Sequence, residues 1–591
     1  MPNYQELKTE ADRRWRELNE GTRPWVRVGT AMCGQAAGAN DVLNVLKAEI
    51  ERTNIDAQVD TVGCIGICYA EPLVDILKPG VSRILYGNMT PSAIPGLVER
   101  VLSGNEIASE YAIGYIGKKV EKIPALNTLA GIHHQKKIAL RNSGHISPND
   151  IYQYIANGGY GGLAKAISEM TPEDVIGEMK ESGLRGRGGA GFPTGVKWSF
   201  MARGGPPKYI LANCEEGDPG AYNDKGILEG DPYTLLEGMS LAGYSTGASN
   251  GFVFIRHGHD GPISRTEQAI QQAYDSGLLG KNILGSDYSF DIEVSLTGES
   301  YVAGEETALM ESIEGKRSMP RFKPPFPAAF GVWGKPSTIN NVKSFSYSPE
   351  IVSRGGQWFK SIGRENCTGT AIICLSGDVK RPGMYEVPMG LQLRQIVNEI
   401  GGGTPSGKNV KMIQLGGPLG HLLGKESLDY HLDFDEMREH GAMLGSGGVI
   451  VGDETKCAVD VARLLVAFCQ YESCGKCFPC RLGMSQLLEM IDRIANSEAS
   501  PEDIDLMNKV GGTMEAASLC FHGQLGYNPL RSALLNFPGD FQAHIEDKVC
   551  PTGDCKEILL APRNMRTYAE QYRTGLIPIE TMAKEVTPRP I

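Results

Sequence analysis

The stretch Ser182-Gly183-Leu184-Arg185-Gly186-Arg187-Gly188-Gly189-Ala190-Gly191-Phe192-Pro193-Thr194-Gly195-Val196-Lys197-Trp198 constrains the chain more than any other segment. Glycines remove the Cβ atoms that would hold a ligand off the backbone, so consecutive N–H groups can converge on phosphate. Arg187 and Lys197 add charge-assisted contacts to such an anion. A flexible linker would lack the packing residues Phe192, Pro193, Val196 and Trp198. The spacing fits neither GxxxxGKS/T nor a strict GxGxxG, which argues against a P-loop and an ordinary dinucleotide fingerprint. The segment reads as a cradle for a phosphorylated cofactor.

A chain of 591 residues has length for several domains, each with a buried core. The net charge of −12 argues against nucleic acid or an anionic membrane as partner, since both attract basic surfaces. No apolar stretch approaches the ~20 residues needed to cross a bilayer. The opening MPNYQELKTEADRRW is too polar for a signal peptide, so a cytoplasmic location is expected. In such a chain the fourteen cysteines, several of them clustered, read as metal ligands and not as disulfides.

Hydrophobic periodicity divides the chain into segments. Strands around Val26–Val28, Val59, Val74 and Ile84, with helices over Asp41–Arg52 and from Pro91, give a β-α-β-β-α order and predict a thioredoxin-like domain over 1–105. A linker is expected over 106–149. Alternating helices and apolar strands, such as Tyr209–Ala212 and Gly251–Arg256, predict an α/β domain over 150–365 with cofactor loops at strand ends. Short strands and turns follow over 366–450. Long helices, including Val461–Gln470 and Leu482–Ile494, fill 451–545, and a polar tail occupies 546–591.

As a string, the glycine-rich stretch resembles the FMN- and NADH-binding loop of the flavoprotein subunit of respiratory complex I and its soluble relatives in NAD-linked hydrogenases and formate dehydrogenases. The resemblance runs from about Arg141 to Phe541 and includes Asn213-Cys214-Glu215-Glu216-Gly217-Asp218-Pro219-Gly220, Tyr301-Val302-Ala303-Gly304-Glu305-Glu306, Pro324-Pro325-Phe326-Pro327 and Pro336-Ser337-Thr338-Ile339-Asn340-Asn341. It implies a multidomain α/β fold: thioredoxin-like, FMN-binding, β-grasp (SLBB-like) and helical [4Fe-4S] domains. It also implies that Gly186, Arg187, Gly188, Gly189, Ala190 and Lys197 form the cradle, and that Asn213, Glu215, Glu216 and Asp218 serve the flavin and nicotinamide. Tyr301, Gly304, Glu305, Asn340 and Asn341 fall to the flavin, Phe192, Phe200 and Phe326 to stacking on adenine, and Glu306 to the NADH ribose. A carboxylate at Glu306 would accept ribose hydroxyls and repel the extra phosphate of NADPH, so NADH is the expected substrate. Glu215, Asp218 and Glu306 are the residues expected closest to the chemistry.

Cys474-Gly475-Lys476-Cys477-Phe478-Pro479-Cys480 has CxxCxxC spacing, with Gly475 and Pro479 expected to keep the loop non-helical. Three thiolates so spaced wrap one face of a cubane, and Cys520 is the expected fourth ligand of a [4Fe-4S] cluster, as in the resembling family, the rival reading being a structural zinc. A flavin beside a cubane has a chemical logic. Nicotinamide delivers two electrons as hydride, clusters accept one at a time, and a flavin does both.

Two further groupings carry metal signals. Cys64-Ile65-Gly66-Ile67-Cys68, with Cys33, resembles a thioredoxin-like [2Fe-2S] site, but Gln35, Ala36, Ala37 and Gly38 stand where its fourth ligand usually lies. A [2Fe-2S] cluster with an unusual fourth ligand and a domain that has lost its cluster both fit. Near the other end, His544, Cys550 and Cys555 with Cys457 suit a tetrahedral structural zinc, the rival reading being unpaired thiols.

The sequence thus predicts an NADH:acceptor oxidoreductase (diaphorase) subunit. It would pass electrons to a catalytic hydrogenase, formate dehydrogenase or other reductase subunit, alongside a small [2Fe-2S] thioredoxin-like subunit, with electron bifurcation an open option. The ferredoxin domain that some soluble relatives append after a similar CPxGxC segment is missing here, which points to electron exit through a partner. The rivals are a complex I peripheral-arm subunit and a non-catalytic relay or scaffold.

Overall fold

A computed structural model describes residues 3–555. The part of the expected tail beyond Cys555 lies outside the described residues.

The first sheet has the order β2-β1-β3-β4-β5, built from β1 (Trp25–Gly29), β2 (Gln58–Val62), β3 (Val74–Leu77), β4 (Arg83–Tyr86) and β5 (Ala112–Ile116). β1 pairs parallel with β2 and antiparallel with β3, and β3 pairs antiparallel with β4. A parallel βαβ unit followed by an antiparallel hairpin is the thioredoxin-like arrangement that the strand spacing predicts. Helix Ala39–Thr53 makes the crossover and buries Val42, Leu46 and Ile50 against the sheet. Two details differ from the expected pattern. β5 comes from the segment read as a linker and pairs with β4. Helix Tyr4–Glu20, capped by Asn3, buries Leu7 and Ala11 in the core of the next domain.

The second sheet contains β6 (Tyr209–Cys214), β7 (Asn250–Arg256), β8 (Asp291–Thr297) and β9 (Ser337–Asn341), ordered β8-β7-β6-β9 with every neighbouring pair parallel. Parallel strands need helical crossovers that cover both faces. Helix Pro232–Thr246, apolar around most of its circumference, is accordingly buried along nearly its whole length. The chain moves outward from β6 through β7 to β8, then returns to the other side of β6 as β9. Such a reversal opens a crevice at the carboxyl ends of the two strands it separates, here β6 and β9.

A two-residue hairpin, β10 (Gly363–Arg364) and β11 (Cys367–Thr368), leads into a third sheet. Its order is β13-β12-β16-β14-β15, from β12 (Thr370–Gly377), β13 (Gly383–Pro388), β14 (Val410–Leu415), β15 (His421–Gly424) and β16 (Gly448–Asp453). The parallel pair β12/β16 at its centre, flanked by antiparallel strands, makes a β-grasp. Six helices from Ala458 to Ile545 close the described chain around a separate apolar core. Among the described residues no helix is long and apolar enough to cross a membrane.

Candidate functional site

The glycine-rich stretch folds into a closed loop. Gly186 N–H donates to Phe192 O (2.8 Å), Thr194 N–H to Leu184 O (2.9 Å), and Arg185 bridges to Pro193. Gly189 holds φ at +121°, a backbone conformation that side-chain-bearing residues avoid. The loop runs straight into helix Thr194–Ala202, whose first turn has no side-chain cap, and the buried hydroxyl of Thr194 has no hydrogen-bond partner. Unsatisfied donors at a helix start beside a glycine loop are the groups that a phosphate would engage, so the residues present fit the phosphate of a bound FMN.

The loop faces the β6/β9 crevice. Asn213 and Asn341 are register partners at the carboxyl ends of these strands. Asn213 donates to Gly304 O (2.8 Å) and accepts from Glu215 N–H (3.0 Å), fixing the acidic turn against segment 301–306. Asn340 accepts from the indole of the buried Trp198 (3.1 Å), and Asn341 caps the helix that follows by accepting from Lys343 N–H (3.0 Å). Lys343, fully buried, reaches Asn223 (2.6 Å) and Asp224 (2.9 Å) beneath the turn. No sequence motif marks these three residues; the lysine's place among apolar neighbours in Val342–Phe345 is the only local hint.

The acidic residues play different structural parts. Burial pushes the Glu215 carboxyl up to about 8, with Arg256 at 3.3 Å opposing the shift and Glu472 adding to it. One of its oxygens is buried without a partner. Glu216 accepts the N–H groups of Asp224 and Lys225 (both 2.9 Å) and thereby caps helix Asn223–Gly230. Asp218 accepts from Gly220 N–H (2.8 Å) and from Ser446 of the β-grasp domain (3.4 Å), and burial raises its pKa.

Arg187 is deployed differently from a phosphate clamp. Its guanidinium donates to the carbonyls of Thr370 (3.1 Å), Arg185 (3.0 Å) and Thr368 (2.7 Å), pinning the loop to the start of the β-grasp domain. Lys197 remains at the crevice, donating to Ile339 O (2.6 Å) and lying 3.4 Å from Glu306. Glu306 is also 2.8 Å from Lys323, a residue that sequence spacing does not bring forward, and Lys323 lies 3.0 Å from Glu305. Burial would raise the Glu306 pKa, but these two ammonium groups outweigh it and hold the carboxyl below its ordinary range. Phe192, Phe200 and Phe326 are all exposed, 62% in the case of Phe326, and the rings of Phe192 and Phe200 lie 6.4 Å apart. Exposed aromatics side by side make a platform for a planar base.

Cys474, Cys477, Cys480 and Cys520 line one pocket, together with Val302 and Pro320 of the α/β domain. Burial and the neighbouring sulfurs push Cys480 up to about 12, and burial with the Glu305 and Cys474 charges pushes Cys520 up to about 11, so a cation is needed before these two thiols carry charge. Four thiols from two segments lining one pocket are a donor set that fits a [4Fe-4S] cluster. The expectation that Pro479 keeps the loop open needs correction: Phe478–Ala495 is helical, Cys477 stands at its N-cap and Cys480 lies in its first turn. Proline is tolerated there because the first-turn N–H has no intrahelical acceptor. Gly475, at φ +73°, does break the chain before it.

Tyr301 joins the two sites. Its N–H donates to Glu472 (2.8 Å), and its ring meets Phe468 at 5.4 Å and His522 at 5.9 Å. His522 sits two residues after Cys520 and Glu472 two before Cys474, so the segment beside the crevice packs directly on the cysteine loops.

Both weaker groupings converge in space. Cys457, His544, Cys550 and Cys555 are buried with their ligand atoms within 4.8 Å of one another. His544 Nδ1 lies 2.7 Å from Asp540 O, a contact that orients Nε2 toward Cys555 at 3.3 Å. Cys33, Cys64 and Cys68 likewise lie within 4.8 Å. They open onto a cavity of about 590 Å³ whose other wall includes Glu216, Asp218 and Tyr222.

Comparisons with known proteins agree with this geometry. Residues 179–348 match the Nuo51 FMN-binding domain, 372–422 the SLBB domain, and 460–544 the NADH-ubiquinone oxidoreductase-F iron-sulfur binding region. The NADP-reducing hydrogenase subunit HndC of Solidesulfovibrio fructosivorans is 44% identical over 72% of this chain and 86% of its own length. An NADH-quinone oxidoreductase subunit of Rhizobium meliloti (strain 1021) is 42% identical over 70% of this chain and 99% of its own. A crystal structure of NAD+-reducing [NiFe]-hydrogenase in the H2-reduced state superposes with a TM-score of 0.63 at 25% identity, covering 95% of this chain and 89% of that one. With an FMN-binding crevice, a β-grasp domain and a four-cysteine site in this order, the chain belongs to the family of NADH-quinone oxidoreductase flavoprotein subunits, shared by complex I and related hydrogenases.

Proposed function

We infer that this chain is a nicotinamide-dependent flavoprotein subunit that exchanges hydride with NAD(H) and passes single electrons through its four-cysteine site to partner subunits. The observation that carries this reading is the contact of Tyr301 with both Glu472 and His522, which packs the flavin crevice on the cluster loops. Bound FMN supplies the conversion between two-electron and one-electron chemistry. The loop 185–191 and Thr194 hold its phosphate, Asn213, Asn340 and Asn341 shape the crevice, and Cys474, Cys477, Cys480 and Cys520 hold the cubane. Glu215, buried and pushed up to about 8 against the opposing charge of Arg256, holds its proton more readily than an exposed carboxyl at the β6 strand end. The partners that fit are a small [2Fe-2S] thioredoxin-like subunit and a hydrogenase, formate dehydrogenase or other reductase subunit.

The nucleotide preference turns on Glu306. Its carboxylate offers acceptors for ribose hydroxyls and keeps Lys197 and Lys323 occupied, so NADH is favoured over NADPH. In Glu306→Gln both ammonium groups become available to a 2′-phosphate. The ratio of kcat/KM for NADPH over NADH should therefore rise about ten- to hundredfold with an artificial acceptor. An unchanged ratio would contradict the role assigned to Glu306.

The Cys457, His544, Cys550 and Cys555 site is assigned a structural zinc, since three thiols and an imidazole with an oriented second nitrogen satisfy tetrahedral coordination. The purified chain should carry about one zinc. His544→Ala should lose it and melt several degrees lower. A zinc-free chain with an unchanged melting temperature would refute the assignment.

A further inference from the structure

The thiols of Cys33, Cys64 and Cys68 leave a metal centre one ligand short, and the residues at 35–38 do not supply it. The Gln35 amide is turned away to donate to Thr30 O (2.9 Å), and alanines and a glycine follow. A different residue occupies the gap. Glu71, three positions after Cys68, is 7% exposed, and its Oε1 lies 3.6 Å from Cys33 Sγ. Its other oxygen, Oε2, is fixed by the N–H of Leu73 at 2.9 Å. Room for the carboxylate comes from two glycines: a Cβ added at Gly29 or Gly34 would stand 3.1 or 3.2 Å from Oε2. A buried carboxylate is costly unless a cation pairs with it, and the buried arginines of the first sheet, Arg27 and Arg83, pair with Asp75 instead.

The three sulfurs lie within 4.8 Å of one another, and two close contacts divide the four groups. Cys64 and Cys68 are 3.4 Å apart, and Cys33 and Glu71 are 3.6 Å apart. A [2Fe-2S] centre asks for this division, two protein ligands to each iron, and ligands other than cysteine are accepted on one iron of such centres. We propose that Glu71 is the fourth ligand of a [2Fe-2S] cluster, with Cys64 and Cys68 on one iron and Cys33 and Glu71 on the other. The inference rests on the trio being metal ligands. It places an acceptor across the 590 Å³ cavity from the acidic turn that follows β6.

The test uses the full chain reconstituted anaerobically with ferrous iron and sulfide, reduced with dithionite and followed by electron paramagnetic resonance. The wild type should hold about six irons and six sulfides, two of each beyond the cubane, with a second signal that persists at temperatures where the four-iron signal has broadened away. Glu71→Gln should return the count to about four irons and lose that signal, with FMN retention checking the fold. Glu71→Cys should keep the two irons but move the g values, because a thiolate replaces a carboxylate. Wild-type spectra and iron counts in both variants would show that Glu71 is not a ligand while leaving the trio's assignment intact. A wild-type chain with four irons, or with zinc in place of the extra two, would overturn both.

Discussion

In Cys477→Ala the chain should lose about four irons and four sulfides and the low-temperature signal of the reduced cubane, while NADH still bleaches its flavin. Cys477 is the N-cap of helix Phe478–Ala495, and its sulfur enters the cavity it shares with Cys474, Cys480 and Cys520. Alanine leaves three thiols around a space built for four, and the helix start supplies no substitute donor because the next residue is Phe478 and Pro479 follows. Electron delivery to a protein partner should fall at least about a hundredfold, since the flavin would lose its one-electron outlet. Iron analysis with spectroscopy checks the first part, and turnover with the partner complex checks the second. Unchanged iron content would remove the cubane assignment.

Gly189→Ala should cost the chain its flavin. At φ +121° an alanine is strained whatever the surrounding space, and the neighbouring atoms of Gly445 at 3.7 Å show that the space itself is adequate. The effect is therefore conformational: the loop must leave its anion-binding shape to relieve about 1–3 kcal/mol. Spent against binding, about 2 kcal/mol raises the FMN dissociation constant some thirtyfold. FMN released from purified wild type and variant, with a titration of added FMN, measures this directly. Full FMN retention in the variant would mean that the loop does not form the phosphate cradle.

The chemistry legible in the sequence is the part written in short strings. The glycine run and CxxCxxC are local, and each carries its own geometric reason, so the cradle and the cysteine cavity can be read without knowledge of the fold. Strand periodicity is enough to find β1, β3, β4, β6 and β7, because each is a short run rich in apolar residues, and Val59 marks the more polar β2. Residues acting across the fold are out of its reach. Lys323 lies 17 positions from Glu306 yet neutralises it. Glu472 reads as an ordinary residue at the end of a helix, although it holds the backbone of Tyr301. Arg187 resembles an anion contact because arginine beside glycines usually is one, and only tertiary structure shows three carbonyls using its guanidinium. The linker strand β5 escapes a periodicity reading because Ala-Ile-Gly-Tyr-Ile is short and stands between polar turns. Convergence of Cys457 with His544 requires the helical domain to bring them together from 87 positions apart.

That one chain takes electrons in pairs and releases them singly is tested most directly by an anaerobic titration of the isolated, FMN-loaded chain with NADH and, separately, NADPH. Absorbance follows the flavin and electron paramagnetic resonance the clusters. NADH should bleach the flavin and bring up a reduced-cluster signal, with NADPH far less effective. A flavin that neither nucleotide bleaches would contradict the two-electron entry on which the whole assignment depends.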